Sequence, residues 1–184
     1  YGVLAAFKIL GLCYLILLII SANFVQEPPT GFKPEGWQPI NNPITPIGVS
    51  DKSWNEMLHE PMFYVVWVLY TIGAMAGLMI VGHAAPIGQE VIHLSVPMAA
   101  MAVSILALAN TGGRVIWGAV SDRTGPYNAL TLIFIIYAGM MFFLTTVSGF
   151  LPFVFTISII GLCFGGLFAI FPSISANLFG MKNL

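Results

Sequence analysis

The chain has 184 residues, of which 58% are hydrophobic and only 7% are charged, and its mean hydropathy is +0.93. Soluble domains carry about 25% charged residues, so this composition predicts a protein embedded in a lipid bilayer. The formal net charge of −1 excludes a basic surface of the kind that binds phosphates, and no nucleic-acid partner is expected.

Five segments are long and apolar enough to cross a membrane as helices, because a span needs about 20 mostly apolar residues. They are residues 2–25, 63–86, 94–120, 127–147 and 150–177. None alternates strictly between apolar and polar residues, as a barrel strand of about ten residues would. We predict an all-α polytopic bundle in which spans two to five, joined by short loops, pack as antiparallel hairpins.

The first span does not resemble a signal peptide, since the sequence begins with Tyr1 and Lys8 interrupts the apolar run. We therefore expect the chain to begin inside a larger protein, with Lys8 reaching the external end of its span within about two turns. Cys13 and Cys163 lie in apolar stretches, which predicts free thiols without a disulfide, a zinc site or a redox role. No cofactor is expected.

Residues 26–60 form a long polar interval that contains six prolines and five of the seven acidic residues. Prolines at this density disfavour helix and sheet, so a stiff cytosolic linker is predicted, with a ligand for an SH3-type module as a less favoured alternative. Within it, residues 50–58 predict a short amphipathic helix at the membrane interface, capped by Ser50 or Asp51. Lys52 and Trp54 would anchor this helix among the lipid headgroups.

The lysines and arginines of the connections predict sidedness, because cationic residues that flank spans stay in the cytoplasm. Lys33 and Lys52 follow the first span, Arg123 follows the third and Lys182 follows the fifth. The connections after the second and fourth spans contain neither residue type. We expect the start of the chain outside, and the linker and the C-terminal end in the cytoplasm.

Arg114 lies inside the apolar third span, about 12 Å along a helix from Asp122. An arginine near mid-membrane costs at least about 2.5–3.5 kcal/mol on insertion scales, so it should face the bundle interior, a wet cavity or a partner. Snorkelling to the cytosolic surface is the alternative, but the distance exceeds a comfortable reach. The planar guanidinium predicts an anionic ligand. Asn110, one turn earlier, is predicted to bind that ligand, to hydrogen-bond with Arg114 and steady it, or only to form hydrogen bonds within the core.

Asp122 and Arg123 are predicted to lie in the tight turn between the third and fourth spans, with Gly118, Gly125 and Pro126 around them. The glycines let helix ends approach each other, and the carboxylate can accept hydrogen bonds from a helix terminus while pairing with an arginine. This pattern favours a hinge or latch, with a plain charged surface turn as the alternative. A buried cation and a charged hinge in one segment suggest a transporter.

Small residues predict where the helices approach most closely, since glycines allow close backbone contact in membranes. The predicted contact positions are Gly73, Gly77, Gly112, Gly113, Gly161, Gly165 and Gly166. The pair Gly165-Gly166, followed by Pro172, would also allow the fifth span to bend.

Residues 113–125, Gly-Arg-Val-Ile-Trp-Gly-Ala-Val-Ser-Asp-Arg-Thr-Gly, resemble the loop motif of the major facilitator superfamily, in the form found between its eighth and ninth helices. Residues 27–37, 54–64, 168–173 and 177–180 resemble the oxalate/formate antiporter family within it. The resemblance covers nearly the whole chain, and the combination of motifs is more specific than the Asp-Arg loop alone.

The resemblance implies that the five spans correspond to helices six to ten of a twelve-helix transporter. Residues 1–25 would then end its N-terminal half, residues 26–60 would be the linker, and residues 61–184 would begin its C-terminal half. It also implies a small carboxylate substrate between the halves, with the remaining helices of the parent protein as partners. Arg114 matches the arginine implied to bind that substrate, and the implied latch motif contains Gly113, Gly118, Asp122, Arg123 and Gly125.

The sequence departs from the oxalate-handling pattern at two aromatic positions of the tenth helix. Phe164 and Phe168 stand where a tryptophan and a tyrosine are expected. They can wall the substrate pocket but donate no hydrogen bond, which favours a less polar monocarboxylate over oxalate. Pro126 and Asn128 also replace basic residues of the loop motif, while Asp122 and Arg123 are present.

Two other classes of protein remain as alternatives. A receptor or scaffold that does not transport could share the fold. An intramembrane metal or haem protein would need converging ligands, and Glu90 and His93, with His83 nearby, are the candidates. These three residues fall around the external connection, where solvated loop positions are the favoured interpretation. No catalytic residue and no metal site are predicted.

Overall fold

A computed structural model of the chain describes residues 2–25 and 52–180. The chain divides into two compact units, Tyr1–Asn41 and Asn42–Leu184. The first unit contributes helix α1 (Val3–Ala22), which buries none of its residues within the structure. Residues 26–51 of the predicted linker, which include Lys33 and the predicted caps Ser50 and Asp51, lie outside the described residues, as does Lys182.

The second unit contains four long helices and one short helix. In chain order they are α2 (Trp54–Leu58), α3 (Pro61–Pro86), α4 (Val96–Thr124), α5 (Pro126–Leu144) and α6 (Phe150–Phe179), with a π-helical turn at Ile87–Val91 after α3. The two described ranges contain no strand, and α1, α3, α4, α5 and α6 are long and apolar enough to span a membrane. The predicted all-α membrane fold is confirmed.

Helix α6 forms the centre of the second unit and packs against α3, α4 and α5. About two thirds of its most apolar stretch is buried, against 17% to 22% for the other three long helices. Phe153, Ile157 and Ile170 are fully enclosed. The other helices turn one face to α6 and the opposite apolar face outward, as expected of helices whose solvent on that side is lipid.

The contact between α4 and α6 is a close backbone crossing. A Cβ atom at Gly113 would lie 2.1 Å from the carbonyl oxygen of Leu162, and one at Gly165 would lie 2.0 Å from that of Asn110. Any residue larger than glycine would therefore push the two helices apart. Gly112 was also predicted as a contact position, but a Cβ there would have no neighbour within 4 Å among residues 2–25 and 52–180.

The short helix α2 starts later than predicted. Its cap is Ser53, whose hydroxyl accepts a hydrogen bond from the backbone N–H of Glu56 while the Glu56 carboxylate accepts one from the backbone N–H of Ser53. These two bonds form a reciprocal capping box, which replaces the predicted cap at Ser50 or Asp51. Hydrogen bonds from Ser53 to the carboxylate lower the pKa of Glu56 below its usual value.

Candidate functional site

The side chain of Arg114 is exposed, and along the helix axis the residue lies well away from both ends of α4. At 1.5 Å per residue it lies about 27 Å from the start of α4 and about 15 Å from its end. Within residues 2–25 and 52–180, its guanidinium has no hydrogen bond and no ion pair with a carboxylate. The contact that it does make is with Phe168 of α6, whose ring centroid lies 5.3 Å from the guanidinium carbon.

The contact with Phe168 is a cation–π interaction, in which the negative face of the ring attracts the guanidinium. Interactions of this kind contribute about 0.5–2 kcal/mol, depending on how far the pair is removed from water. The ring orients Arg114 without neutralising its charge. A cation that is held in place but keeps its full charge is suited to receive an anion.

Phe168 belongs to an aromatic cluster contributed by α3 and α6. Its ring is 38% exposed and meets the buried ring of Phe164 at a centroid distance of 5.1 Å. Tyr70 of α3 contacts Phe168 at 6.2 Å and Phe171 at 4.8 Å, both edge to face. Edge-to-face pairs at these distances are favourable, so the cluster fixes the ring against which Arg114 rests.

Phe164 is positioned by a glycine on the neighbouring helix. A Cβ atom at Gly77 of α3 would lie 2.1 Å from Cδ2 of Phe164 and 2.6 Å from the hydroxyl oxygen of Tyr137. The absence of a side chain at Gly77 therefore makes the notch in which the Phe164 ring sits. Of the two residues predicted to wall the substrate pocket, Phe164 is buried and Phe168 is partly exposed.

Asn110 lies one turn before Arg114 and takes part in the close crossing with α6. Its carbonyl oxygen faces Gly165, and its side-chain Oδ1 is buried without a hydrogen-bond partner in the described part of the chain. The structure thus brings Asn110 near the predicted site, but its amide forms no hydrogen bond with Arg114. This oxygen lies within the α4–α6 crossing, where a Cβ atom at Gly165 would be 3.0 Å from it, so Asn110 is placed by helix packing.

A groove of about 450 Å³ opens beside the aromatic cluster, between α2, α3 and the C-terminal part of α6. Apolar and aromatic side chains dominate its lining, and its polar members are Lys52, Tyr70 and Ser175. Lys52 forms an ion pair with Glu60. Proline at position 172 of α6 also lines the groove, and because it has no N–H the carbonyl of Phe168 lacks its usual helical donor.

The predicted latch residues lie at the C-terminal end of α4 rather than in a turn. Asp122 and Arg123 belong to the last helical turn, and Gly125 alone joins α4 to α5. Gly125 has φ 86°, a conformation that L side chains rarely adopt. The prediction placed the end of the helix too early because it used hydropathy, whereas charged residues are readily accommodated in a last turn that reaches water.

The remaining latch positions differ in their surroundings. Gly113 is fixed in the crossing with α6, while a Cβ atom at Gly118 would have no neighbour within 4 Å. Asp122 and Arg123 are exposed, and in the described ranges neither forms an ion pair or a side-chain hydrogen bond. Four of the five motif residues thus present an open surface at this end of the bundle.

The candidate metal ligands of the external connection are not gathered into one site. The described residues contain no cluster of three His, Cys, Asp or Glu side chains able to hold a metal ion. Nδ1 of His83 lies 3.0 Å from the carbonyl oxygen of Met79 and is engaged within its own helix.

Tyr70 is the residue of this site that the sequence did not reveal. A tyrosine in an apolar run fits a packing role as well as a binding role, and its contact with Phe168 depends on how α3 is rotated about its axis. The sequence feature that could have marked Tyr70 as a candidate is its hydroxyl, because a tyrosine hydroxyl deep in a predicted span needs a hydrogen-bond partner.

Comparisons with known proteins agree with this architecture. The chain is 33% identical, over 97% of its length, to an oxalate:formate antiporter of Oxalobacter formigenes. It is 28% identical over its whole length to an uncharacterized MFS-type transporter of Escherichia coli (strain K12). It spans 41% and 44% of these two relatives. Over 74 residues, 39% of the chain and 11% of the relative, it is 30% identical to apicoplast pyruvate carrier 2 of Toxoplasma gondii.

The family profile described as Major Facilitator Superfamily matches residues 1–183. This match extends over both units and includes every helix described above. The chain therefore belongs to the major facilitator superfamily, as the motif around Asp122 and Arg123 predicted.

Proposed function

We propose that this chain is part of a secondary carrier for small organic anions, which are carboxylates such as oxalate, formate or other monocarboxylates. The observation that supports this most directly is the environment of Arg114. A guanidinium deep within a membrane-length helix rests on an aromatic ring and has no carboxylate partner among the described residues.

The energetics of the bilayer favour this interpretation over a structural role for Arg114. An unpaired arginine at this depth costs several kcal/mol unless it faces water, a partner or a ligand. Its fork of N–H donors matches the two oxygens of a carboxylate. Phe168 supplies the apolar surface beside which the carbon part of such a ligand would pack, and the buried Phe164 supports that ring from behind.

Two of the three relatives are named for carboxylates, one as an oxalate:formate antiporter and one as a pyruvate carrier. Because the chain spans less than half of the two relatives that it matches along its length, the carrier would be the full-length parent protein. Alternating access in such a protein requires helices beyond those described here, and we propose that the substrate is bound between these and the face that carries Arg114.

The proposed orientation follows the cations of the connections, with the start of the chain outside and residues 26–60 and the C-terminal end in the cytoplasm. In this arrangement Asp122 and Arg123 lie at the cytoplasmic end of α4. We propose that they latch the carrier in one state by pairing with the other half of the protein. Their exposure leaves both side chains available for this contact.

Counterflow of labelled carboxylates in proteoliposomes tests the proposal. The full-length parent protein should exchange at least one of oxalate, formate and pyruvate across the membrane, and Arg114→Gln should abolish exchange while insertion is retained. Saturable binding without exchange would instead support the alternative of a receptor. The absence of both binding and exchange for all three anions would reject the proposed function.

A further inference from the structure

We propose that Tyr70 is a specificity-determining residue of the same site, and that its hydroxyl donates a hydrogen bond to a second oxygen function of the carried anion. This inference rests on the proposed function, because it assumes a carboxylate bound at Arg114. It names the substrate class as a carboxylate with an oxygen-bearing group on the adjacent carbon, such as oxalate or a 2-oxo monocarboxylate.

Arg114 and Tyr70 lie beside the same side chain of α6. Phe168 contacts both Arg114, whose guanidinium carbon lies 5.3 Å from the ring centroid, and Tyr70, whose ring centroid lies 6.2 Å away. The two polar residues come from α4 and α3 and meet at one exposed ring of α6. We place the anion at Arg114 beside the edge of the Phe168 ring, where the partial charge of the ring is positive, so that it can take a second hydrogen bond from Tyr70 on the other helix.

The Tyr70 side chain is oriented by packing against two rings of α6. Its ring is held by edge contacts with Phe168 and Phe171, so the direction of the phenol is fixed by packing. In the described part of the chain the hydroxyl makes no hydrogen bond, although Thr71, its neighbour in sequence, donates to the carbonyl of Trp67. A donor that is oriented by its ring but has no protein partner is available to a ligand.

Tyr70 also borders a cavity. Tyr70 and Phe168 both line the groove of about 450 Å³, together with mostly apolar and aromatic side chains, whereas Arg114 is not among its lining residues. Tyr70 is half-buried, and its side chain therefore lies beside a cavity large enough for a small anion. In apolar surroundings, a hydrogen bond to a charged ligand is stronger than in water.

A donor at Tyr70 would also compensate for the phenylalanines at positions 164 and 168, where a tryptophan and a tyrosine are expected. Phe164 and Phe168 cannot donate hydrogen bonds, which on sequence grounds favoured a less polar substrate. The Tyr70 hydroxyl on α3 would donate one hydrogen bond to an anion beside Phe168, although Phe164 and Phe168 themselves donate none. A monocarboxylate such as formate, which has no second oxygen function, would engage Arg114 and leave Tyr70 unused.

The substitution Tyr70→Phe removes the hydroxyl and keeps the ring that packs against Phe168 and Phe171. In the full-length parent protein we expect this substitution to raise the KM for oxalate or pyruvate exchange about tenfold or more. The second oxygen function of these anions would then be held in the site without a hydrogen-bond donor. The KM for formate should change less than about twofold. Tyr64→Phe is the matched control, since Tyr64 lies on the same helix and is exposed.

The outcomes separate the two proposals. If the wild-type protein exchanges none of the three anions, the proposed function fails. If the wild type exchanges them and Arg114→Gln abolishes exchange, but Tyr70→Phe leaves all KM values unchanged, the function stands and the role of Tyr70 is overturned. An equal rise in KM for formate, oxalate and pyruvate would also overturn it, since that result indicates a packing role for Tyr70.

Discussion

Two adjacent glycines of α4 provide a matched test of the helix crossing that holds the site. A Cβ atom at Gly113 would lie 2.1 Å from the carbonyl oxygen of Leu162, whereas one at Gly112 would meet nothing within 4 Å. Carbon and oxygen atoms approach to about 3.3 Å at closest in such contacts. Alanine at position 113 therefore requires α4 and α6 to separate by about 1 Å, and the obstructing atom is backbone.

Overpacking of this kind costs about 1–3 kcal/mol, and we expect Gly113→Ala to lie at the upper end because a backbone carbonyl cannot rotate away. Gly112→Ala should be neutral, or stabilising by up to about 1 kcal/mol through its helix propensity. The assay is thermal unfolding of the purified full-length parent protein in detergent, followed by the folded fraction on size exclusion. Equal midpoints for the two variants would refute the crossing geometry.

Three further predictions concern the wall, the latch and the short helix. Gly77→Ala should displace the ring that fills its notch and raise the KM for exchange several-fold, while Gly82→Ala on the same helix, where a Cβ meets no neighbour within 4 Å, should not. Asp122→Asn should lower the maximal exchange rate several-fold with little change in KM, as expected of a latch; a change in KM alone would argue against that role. The capping box stabilises α2 fully at pH values above 4.5, the usual pKa of Glu56. This stabilisation is lost as the pH falls through the lower pKa that Glu56 has in the folded protein. Ser53→Ala removes the hydroxyl but keeps the backbone N–H that lowers this pKa most, so it should raise the Glu56 pKa only part of the way toward 4.5, measured by the carbon-13 shift of its carboxyl group. An unchanged titration would contradict the hydroxyl's part in the capping box.

The membrane helices were predictable from sequence because length and hydropathy alone determine whether a segment can span a bilayer. The predicted bounds of the fourth and fifth spans differ from α5 and α6 by only a few residues. The end of α4 was placed too early, since hydropathy falls at Asp122 while the hydrogen bonds of the helix continue to Thr124. Likewise, the π-helical turn after Pro86 was not foreseen, because it depends on backbone geometry and not on apolar content.

The arrangement of the candidate site was only partly accessible from sequence. Arg114 stood out because a charged residue in an apolar run is costly in any membrane fold. Its contact with Phe168 required the relative rotation of two helices, which hydropathy does not specify. The same limitation explains why the sequence does not distinguish Gly112 from Gly113, although only Gly113 faces α6, and why it does not single out Tyr70 from the apolar run around it.

The central claim is that Arg114 binds the carried anion, and equilibrium binding tests it more directly than flux, because flux is also lost when a conformational change is blocked. The measurement is binding of labelled oxalate, formate and pyruvate to the full-length parent protein and to its Arg114→Gln and Arg114→Lys variants. We predict saturable binding of at least one anion by the wild type and a loss of affinity of about tenfold or more in Arg114→Gln. Arg114→Lys should also bind more weakly, since an ammonium does not reproduce the guanidinium fork. Unchanged affinity in both variants would contradict the assignment of Arg114 as the anion-binding residue.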